Sequence, residues 1–189
     1  MHLSILSATA LAAAIIAAAS VLAFSQLPDL LLWAAFIGWA SYDHSGSTPQ
    51  AAVRSSAALV FGVAMAWIVA FIVAMGALPP GVPAATAISA GIASFIIVIA
   101  SRVPSLAVVP ATFYGFASTF AYLSIAPGAS TIGAMTTLGW KNAVVTVPIS
   151  LLIGTGLGIA HGLLAKILAT SATGTAPRRA FGLGGGAQS

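Results

Sequence analysis

Few side chains in this sequence could do acid–base or metal chemistry. Asp29 and Asp43 are the only acids, and there is no cysteine. Disulfides, thiolate metal sites and thiol nucleophiles are thereby excluded. No His/Asp cluster has metal-ligand spacing, and no Ser/His/Asp arrangement sits on a recognisable scaffold. We expect no catalytic residue, no metal and no cofactor, and read the chain as not an enzyme. Asp29, after Pro28, is expected to open a helix, where an acid suits the positive end of the helix dipole. Asp43-His44 reads as a solvated loop pair, with a pH gate as the sharper alternative. His161 stands on a glycine-rich apolar run. An ionisable residue inside a membrane segment is a functional candidate; the plainer expectation is a neutral imidazole bonded to a backbone carbonyl. Without a buried acid to couple to a proton or sodium gradient, the chemistry favours a passive path for an uncharged solute.

A passive path needs apolar walls that exclude ions and a few groups that replace lost water. Phe36 and Trp39 are three residues apart, as are Phe113 and Phe116, so each pair shares a helix face. Thr112 and Thr119, with the carbonyl freed near Pro110, supply hydrogen-bond partners. We take Phe36, Trp39, Thr112, Phe113 and Phe116 as candidate pore-lining residues; ordinary aromatic packing between helices is the alternative.

The elements that would position these residues are transmembrane helices. Apolar residues make up 60% of the 189 positions and charged residues 4%, against roughly a quarter charged in a soluble chain. Lipid must therefore cover most of the surface. The runs Leu3 to Phe24, Leu30 to Tyr42, Ser55 to Met75, Ala84 to Ala100, Leu106 to Leu123 and Ala143 to Leu168 give six spans. The first lacks the basic start of a signal peptide and is expected to be retained. Leu78-Pro79-Pro80-Gly81 is expected to be a tight turn. A Gly/Ser/Thr segment from Ser124 to Gly139 precedes the last span, with Lys141-Asn142 marking its outer end. Residues 1–168 form one transmembrane domain, and 169–189 a disordered cytoplasmic tail. Trp67, Trp140 and Tyr122 are candidates for interfacial belts, although Trp67 lies too near the middle of its run for one.

With six crossings and both termini inside, Arg54, Arg102, Lys166, Arg178 and Arg179 fall on the cytoplasmic side, and only Lys141 falls outside. This satisfies the positive-inside rule; cations scattered singly in this way do not form a nucleic-acid-binding stripe.

The second and fifth runs match each other. Trp33 to Ser41 aligns with Pro110 to Ser118 with Ala, Phe, Gly, Ala and Ser shared, and Trp39 opposite Phe116. Small residues recur every fourth position on the third run (Ala58, Gly62, Ala66, Ala70, Ala74) and on the sixth (Ser150, Gly154, Gly158, Gly162). Such ladders let backbones approach closely, and the two align in the same order as the first match. Gly62, Gly154, Gly158 and Gly162 are the candidate helix-packing residues. The expected fold is all-α: six transmembrane helices in two three-helix repeats (3–76 and 84–168). These are inverted because three is odd, a plan found in transporters and channels.

The motifs Phe36-Ile37-Gly38-Trp39-Ala40-Ser41-Tyr42, followed by His44-Ser45-Gly46, and Val109 to Tyr122 carry a resemblance. On them, and on the order of spans over about residues 3 to 168, the chain resembles the bacterial inner-membrane proteins grouped as domain of unknown function 1097. The resemblance implies a bacterial multi-spanning protein and no particular activity. In size, span number and repeat plan the chain is also similar to the urea and amide channels, which form rings of six-helix subunits. The expectation is a channel or facilitator in the cytoplasmic membrane for a small uncharged polar solute, urea-like amides leading, and a homo-oligomer. The alternative is a structural or accessory subunit within a larger membrane complex.

Overall fold

The computed structural model describes residues 4–77 and 81–173, and every regular element among them is helical. In chain order these are α1 (Ile5–Phe24), α2 (Leu32–His44), α3 (Pro49–Ala74), α4 (Val82–Ala100), a 3-10 turn at Pro104–Leu106, α5 (Val109–Ile125), the short α6 (Ile132–Thr136) and α7 (Ala143–Thr173). Four of them, α1, α3, α4 and α7, are long and apolar enough to cross a membrane by length and composition. The runs expected as the second and fifth spans form shorter helices, of 13 and 17 residues, or about 20 and 26 Å at the usual helical rise. The expected tail begins later than predicted, because helix continues through Ala169 to Thr173; the rest of it, with Arg178 and Arg179, lies outside the described residues. So do Leu78, Pro79 and Pro80 of the expected turn, whose Gly81 opens α4 with φ of 144°.

Local chemistry sets several boundaries. The Ser4 hydroxyl accepts from the Ser7 amide ahead of α1, and Thr48 caps α3 by accepting from the Ala51 amide at 3.0 Å, with Pro49 following it. The α2–α3 turn is tight because Gly46 and Ser47 both adopt positive φ (102° and 53°). The Gly/Ser/Thr segment from Ser124 to Gly139 holds the short α6 and leads into a cap. Asn142 donates to the carbonyls of Met135 and Thr137 at 2.9 and 3.0 Å and accepts from the Val144 amide at 3.1 Å. Tyr122 donates its hydroxyl proton to the Trp140 carbonyl at 2.9 Å. Tyr122 thus anchors the cap from within, while Trp140 is half-exposed.

The core lies where α2, α3, α5 and α7 meet, around Ala34, Leu59, Val63, Ala111, Val147 and Leu151. Two pairings dominate it: α2 with α7, and α3 with α5. Each is closed by two glycines facing backbone. In the first, Gly38 lies on the Leu151 carbonyl and Gly154 on the Ala35 carbonyl; in the second, Gly115 lies on the Leu59 carbonyl and Gly62 on the Thr112 carbonyl. The partners in each pair run in the same direction. Leu31 donates its amide to Ser150 Oγ at one end of α2–α7, and Asp43 meets His161 at the other. Tyr122 places the end of α5 beside the start of α7, so α5 runs against α7 and alongside α3.

The remaining long helices flank this centre, α1 against α7 and α4 against α3. Each buries a narrow stripe of mostly small residues at four-residue spacing, Ala8 and Ala12 on α1 and Ala85, Ser89, Ala93 and Ile97 on α4. Elsewhere α4 exposes Ile88, Ile92, Phe95, Val98 and Ile99. Apolar side chains all round a helix suit a hydrocarbon environment.

The ladder glycines are not alike. A Cβ at Gly62 or Gly154 would run into a carbonyl, whereas at Gly158 it would meet the ring edges of Tyr42 (2.6 Å) and Trp39 (3.0 Å), which have room to turn. At Gly162, expected to pack either within the subunit or between subunits, nothing of this chain lies within 4 Å of an added Cβ. Gly115→Ala and Gly154→Ala should each cost about 2–3 kcal/mol, since rigid backbone must part. Gly158→Ala should cost less and Gly162→Ala nothing measurable. Thermal melting in detergent reads the order; an equal shift at Gly162 and Gly154 would contradict it.

Candidate functional site

The two acids of the chain stand at opposite ends of the bundle, each lining a pocket. At one end α1, α2 and α7 enclose about 530 Å³ between Ile5, Thr9, Asp43, His161, Ala165 and Lys166. His161 is largely buried, its side chain 13% exposed, and Asp43 is 42% exposed. In the tautomer with its proton on Nε2, His161 donates to the Thr9 carbonyl at 3.3 Å, which ties α7 to α1. Its Nδ1 then faces Asp43 Oδ2 at 3.9 Å, beyond direct hydrogen bonding. Ser47 donates to the other carboxylate oxygen at 2.9 Å, so the positive-φ turn holds Asp43 in place. Trp39 covers the imidazole, ring centroids 5.1 Å apart.

At the opposite end a pocket of about 320 Å³ opens between Asp29, Leu31, Tyr122, Ala129, Trp140 and Lys141. Asp29 does not open α2 as expected. That helix begins at Leu32 with Leu31 before it and no side-chain cap, because the Leu31 amide is already taken by Ser150. Lys141 lines the same pocket, just ahead of the start of α7.

The buried polar residues among the described positions carry no charge: they are Ser, Thr and one Asn. Ser41 and Ser55 bond each other at 2.7 Å across α2 and α3, and Ser56 donates to Thr155 at 3.5 Å across α3 and α7. Thr119 and Ser150 turn back to carbonyls of their own helices. Ser118 Oγ and Trp67 Nε1 are buried without a hydrogen-bond partner among the described residues. Trp67, too central in its run for an interfacial belt, stacks on Phe71 with centroids 5.2 Å apart and packs against the core.

The five candidate pore-lining residues do not converge. Phe36 and Trp39 meet each other at 6.2 Å on the α2 side, with Trp39 turned to His161. Phe113 and Phe116 meet at 6.5 Å and pack with Phe61, Met65, Val69, Ala93 and Ile97 between α3, α4 and α5. Thr112 is buried between, its carbonyl beneath Gly62. Sequence reasoning missed Gly38 and Gly115 as contact glycines, although both are identities in the repeat match. It also missed Ser47 and Lys166 as neighbours of Asp43 and His161.

Residues 10–166 match the family described as protein of unknown function (DUF1097). The chain belongs to this family. The match runs from α1 to the later turns of α7 and so takes in both glycine-closed pairings, the pocket beside Asp29, and Asp43, His161 and Lys166 of the other pocket, whose Ile5, Thr9, Ala169 and Thr170 lie beyond it. No curated protein and no solved structure matches the chain.

The cap over the second pocket gives a test. Asn142→Ala removes two donors and leaves two carbonyls unpaired, and should cost about 2–3 kcal/mol. Tyr122→Phe loses one neutral bond and should cost about 1 kcal/mol. Melting in detergent, with limited proteolysis of the 126–142 segment, reads both; faster cleavage in Asn142→Ala than in Tyr122→Phe is expected.

Proposed function

We propose that this chain is a channel or facilitator for a small uncharged polar solute, with urea-like amides the leading class. In this reading it crosses the bacterial cytoplasmic membrane six times, as two three-helix units of opposite orientation. The observation that carries it is the pairing of two end pockets, each beside one of the two aspartates, with an interior of neutral hydroxyls between them. Neutral hydroxyls replace the hydrogen bonds a polar solute gives up on leaving water, and they offer an ion no compensating charge.

The inverted arrangement is supported by the two glycine-closed pairings. The registers that align Gly38 with Gly115 and Gly62 with Gly154 exchange one set of contacts for the other: Gly38 on Leu151 corresponds to Gly115 on Leu59, and Gly154 on Ala35 to Gly62 on Thr112. The short α2 and α5 suit this plan, since an inner helix enclosed by other helices need not match the full hydrocarbon thickness itself. Orientation follows from charge. Arg54, at the start of α3, and Lys166 belong to the Asp43 end, and Arg102, where α4 returns, joins them; Lys141 is at the other. Cation excess puts the Asp43 end, and both termini, on the cytoplasmic side.

Both seams are closed in this conformation, so conduction requires α2–α7 or α3–α5 to part near Thr112. The aromatic pairs would then flank the opening, Phe36 and Trp39 on one side and Phe113 and Phe116 on the other. The closed seams and the exposed apolar face of α4 equally suit the second reading, an accessory subunit of a larger membrane complex.

Stopped-flow light scattering on proteoliposomes challenged with urea, acetamide, glycerol and ammonium salts separates the two. A channel gives selective entry several-fold faster than empty liposomes; equal rates for every solute favour the accessory reading. Ser118→Ala removes an unpaired buried hydroxyl, so it should slow entry without lowering the melting temperature. Undiminished flux would remove Ser118 from the path.

A further inference from the structure

The two halves differ where their equivalence would make them alike. The registers that match Gly38 with Gly115 and Gly62 with Gly154 also match Trp39 with Phe116, Asp43 with Phe120, and His161 with Val69. In the half containing α4, those positions are filled: Phe116 and Phe120 lie with ring centroids 5.1 Å apart and pack on Val69, Met65 and Ile97. In the half containing α1, the same place is a pocket of about 530 Å³ with a carboxylate and an imidazole in its wall. The fold does not require this opening, because the same crossing is closed by phenylalanines on the other side.

We propose that this pocket binds an ammonium–phosphate zwitterion, with the headgroup of an aminophospholipid as its source. Three features fix the chemistry. Asp43 has one oxygen held by Ser47, while the other stands 3.9 Å from His161 Nδ1, placed to accept from an incoming ammonium. Lys166 has no ion-pair partner among the described residues and faces the same pocket, supplying the charge a phosphate needs. Most of the remaining wall is apolar, from Ile5, Gly162, Ala165 and Ala169 with Thr9 and Thr170 among them, which suits an occupant that continues into hydrocarbon. A primary amine is specified over a quaternary one, since only the former has protons to donate to Asp43. The pocket lies at the ends of two helices apolar enough to cross a membrane, α1 and α7, where headgroups are found. The site is independent of which solute, if any, the protein conducts.

Native mass spectrometry of the detergent-purified protein titrated with phosphatidylethanolamine, phosphatidylcholine and phosphatidylglycerol tests this directly. Phosphatidylethanolamine should bind about tenfold tighter than either of the others, the size of effect expected for one charge-assisted hydrogen bond. Asp43→Asn should remove the preference over phosphatidylcholine, and Lys166→Gln should weaken all three. Ala165→Leu, which fills the pocket from its apolar wall, should abolish binding while the melting temperature reports that the fold persists. Soluble glycerophosphoethanolamine provides the second arm. Competition by it at concentrations equal to the lipid would keep the zwitterion site but assign it to a free molecule. Equal binding of the three lipids, preference for phosphatidylglycerol, or unchanged selectivity in Asp43→Asn would overturn the proposal.

Discussion

The structure depends on four places where a helix backbone lies directly on another helix's carbonyl, at Gly38, Gly62, Gly115 and Gly154. In a hydrocarbon environment the burial of apolar surface does little to hold helices together, so close van der Waals contact must do it. Glycine is the only residue that permits this approach, and weak Cα–H···O contacts to the carbonyl add to it. Once α2 is seated on α7 and α3 on α5, most of the arrangement follows. The flanking helices α1 and α4 need only a stripe of small residues to attach, and their remaining faces are free to meet lipid. The short length of α2 and α5 leaves room at both ends, and the pockets lie there.

Equivalence in the backbone contacts is accompanied by divergence in side chains. Ser41 has its partner in Ser55, but the register that relates the halves puts Val147 where Ser55 would be, and the matching Ser118 is left with an unpaired hydroxyl. Asp43, Trp39 and His161 likewise stand where the other half has Phe120, Phe116 and Val69. Packing that sets the helix crossings is kept on both sides, while polar groups are distributed on one.

Much of the helical architecture was legible in the sequence because it rests on patterns of residue type. Long apolar runs bracketed by Pro, Gly and single cations located α1 and α4 closely, and α3 and α7 except for the first turns of α3 from Pro49 and the last of α7 to Thr173. The match between Trp33–Ser41 and Pro110–Ser118 already contained Gly38 and Gly115, but a shared glycine does not announce which carbonyl it will lie on. Spacing identifies a face of the ladder helix without saying which part of it a neighbour of the same chain covers: Gly154 is covered and Gly162 is not. The aromatic pairs were grouped by periodicity, which fixes a face on one helix and says nothing of whether two such faces meet; here they point into separate clusters. Asp43 and His161 were each visible, yet they are far apart in sequence, and only the parallel course of α2 and α7 brings them together. The cap over 126–142 was hidden because its Asn142 and Tyr122 bonds are made to carbonyls, which carry no sequence signal.

The central claim is that the two short inner helices cross the membrane, which turns the pockets to opposite sides. The absence of cysteine makes it directly measurable. Ser47 and Ser130 are both exposed, Ser47 in the turn between α2 and α3 and Ser130 in the segment between α5 and α7. Ser47→Cys and Ser130→Cys, made singly and labelled in sealed inverted and right-side-out vesicles with a membrane-impermeant maleimide, report the side of each. The account predicts that they label from opposite sides, Ser47→Cys from the cytoplasm. Labelling of both from the same side would mean that only the four long helices span the bilayer, and would contradict the inverted six-helix arrangement.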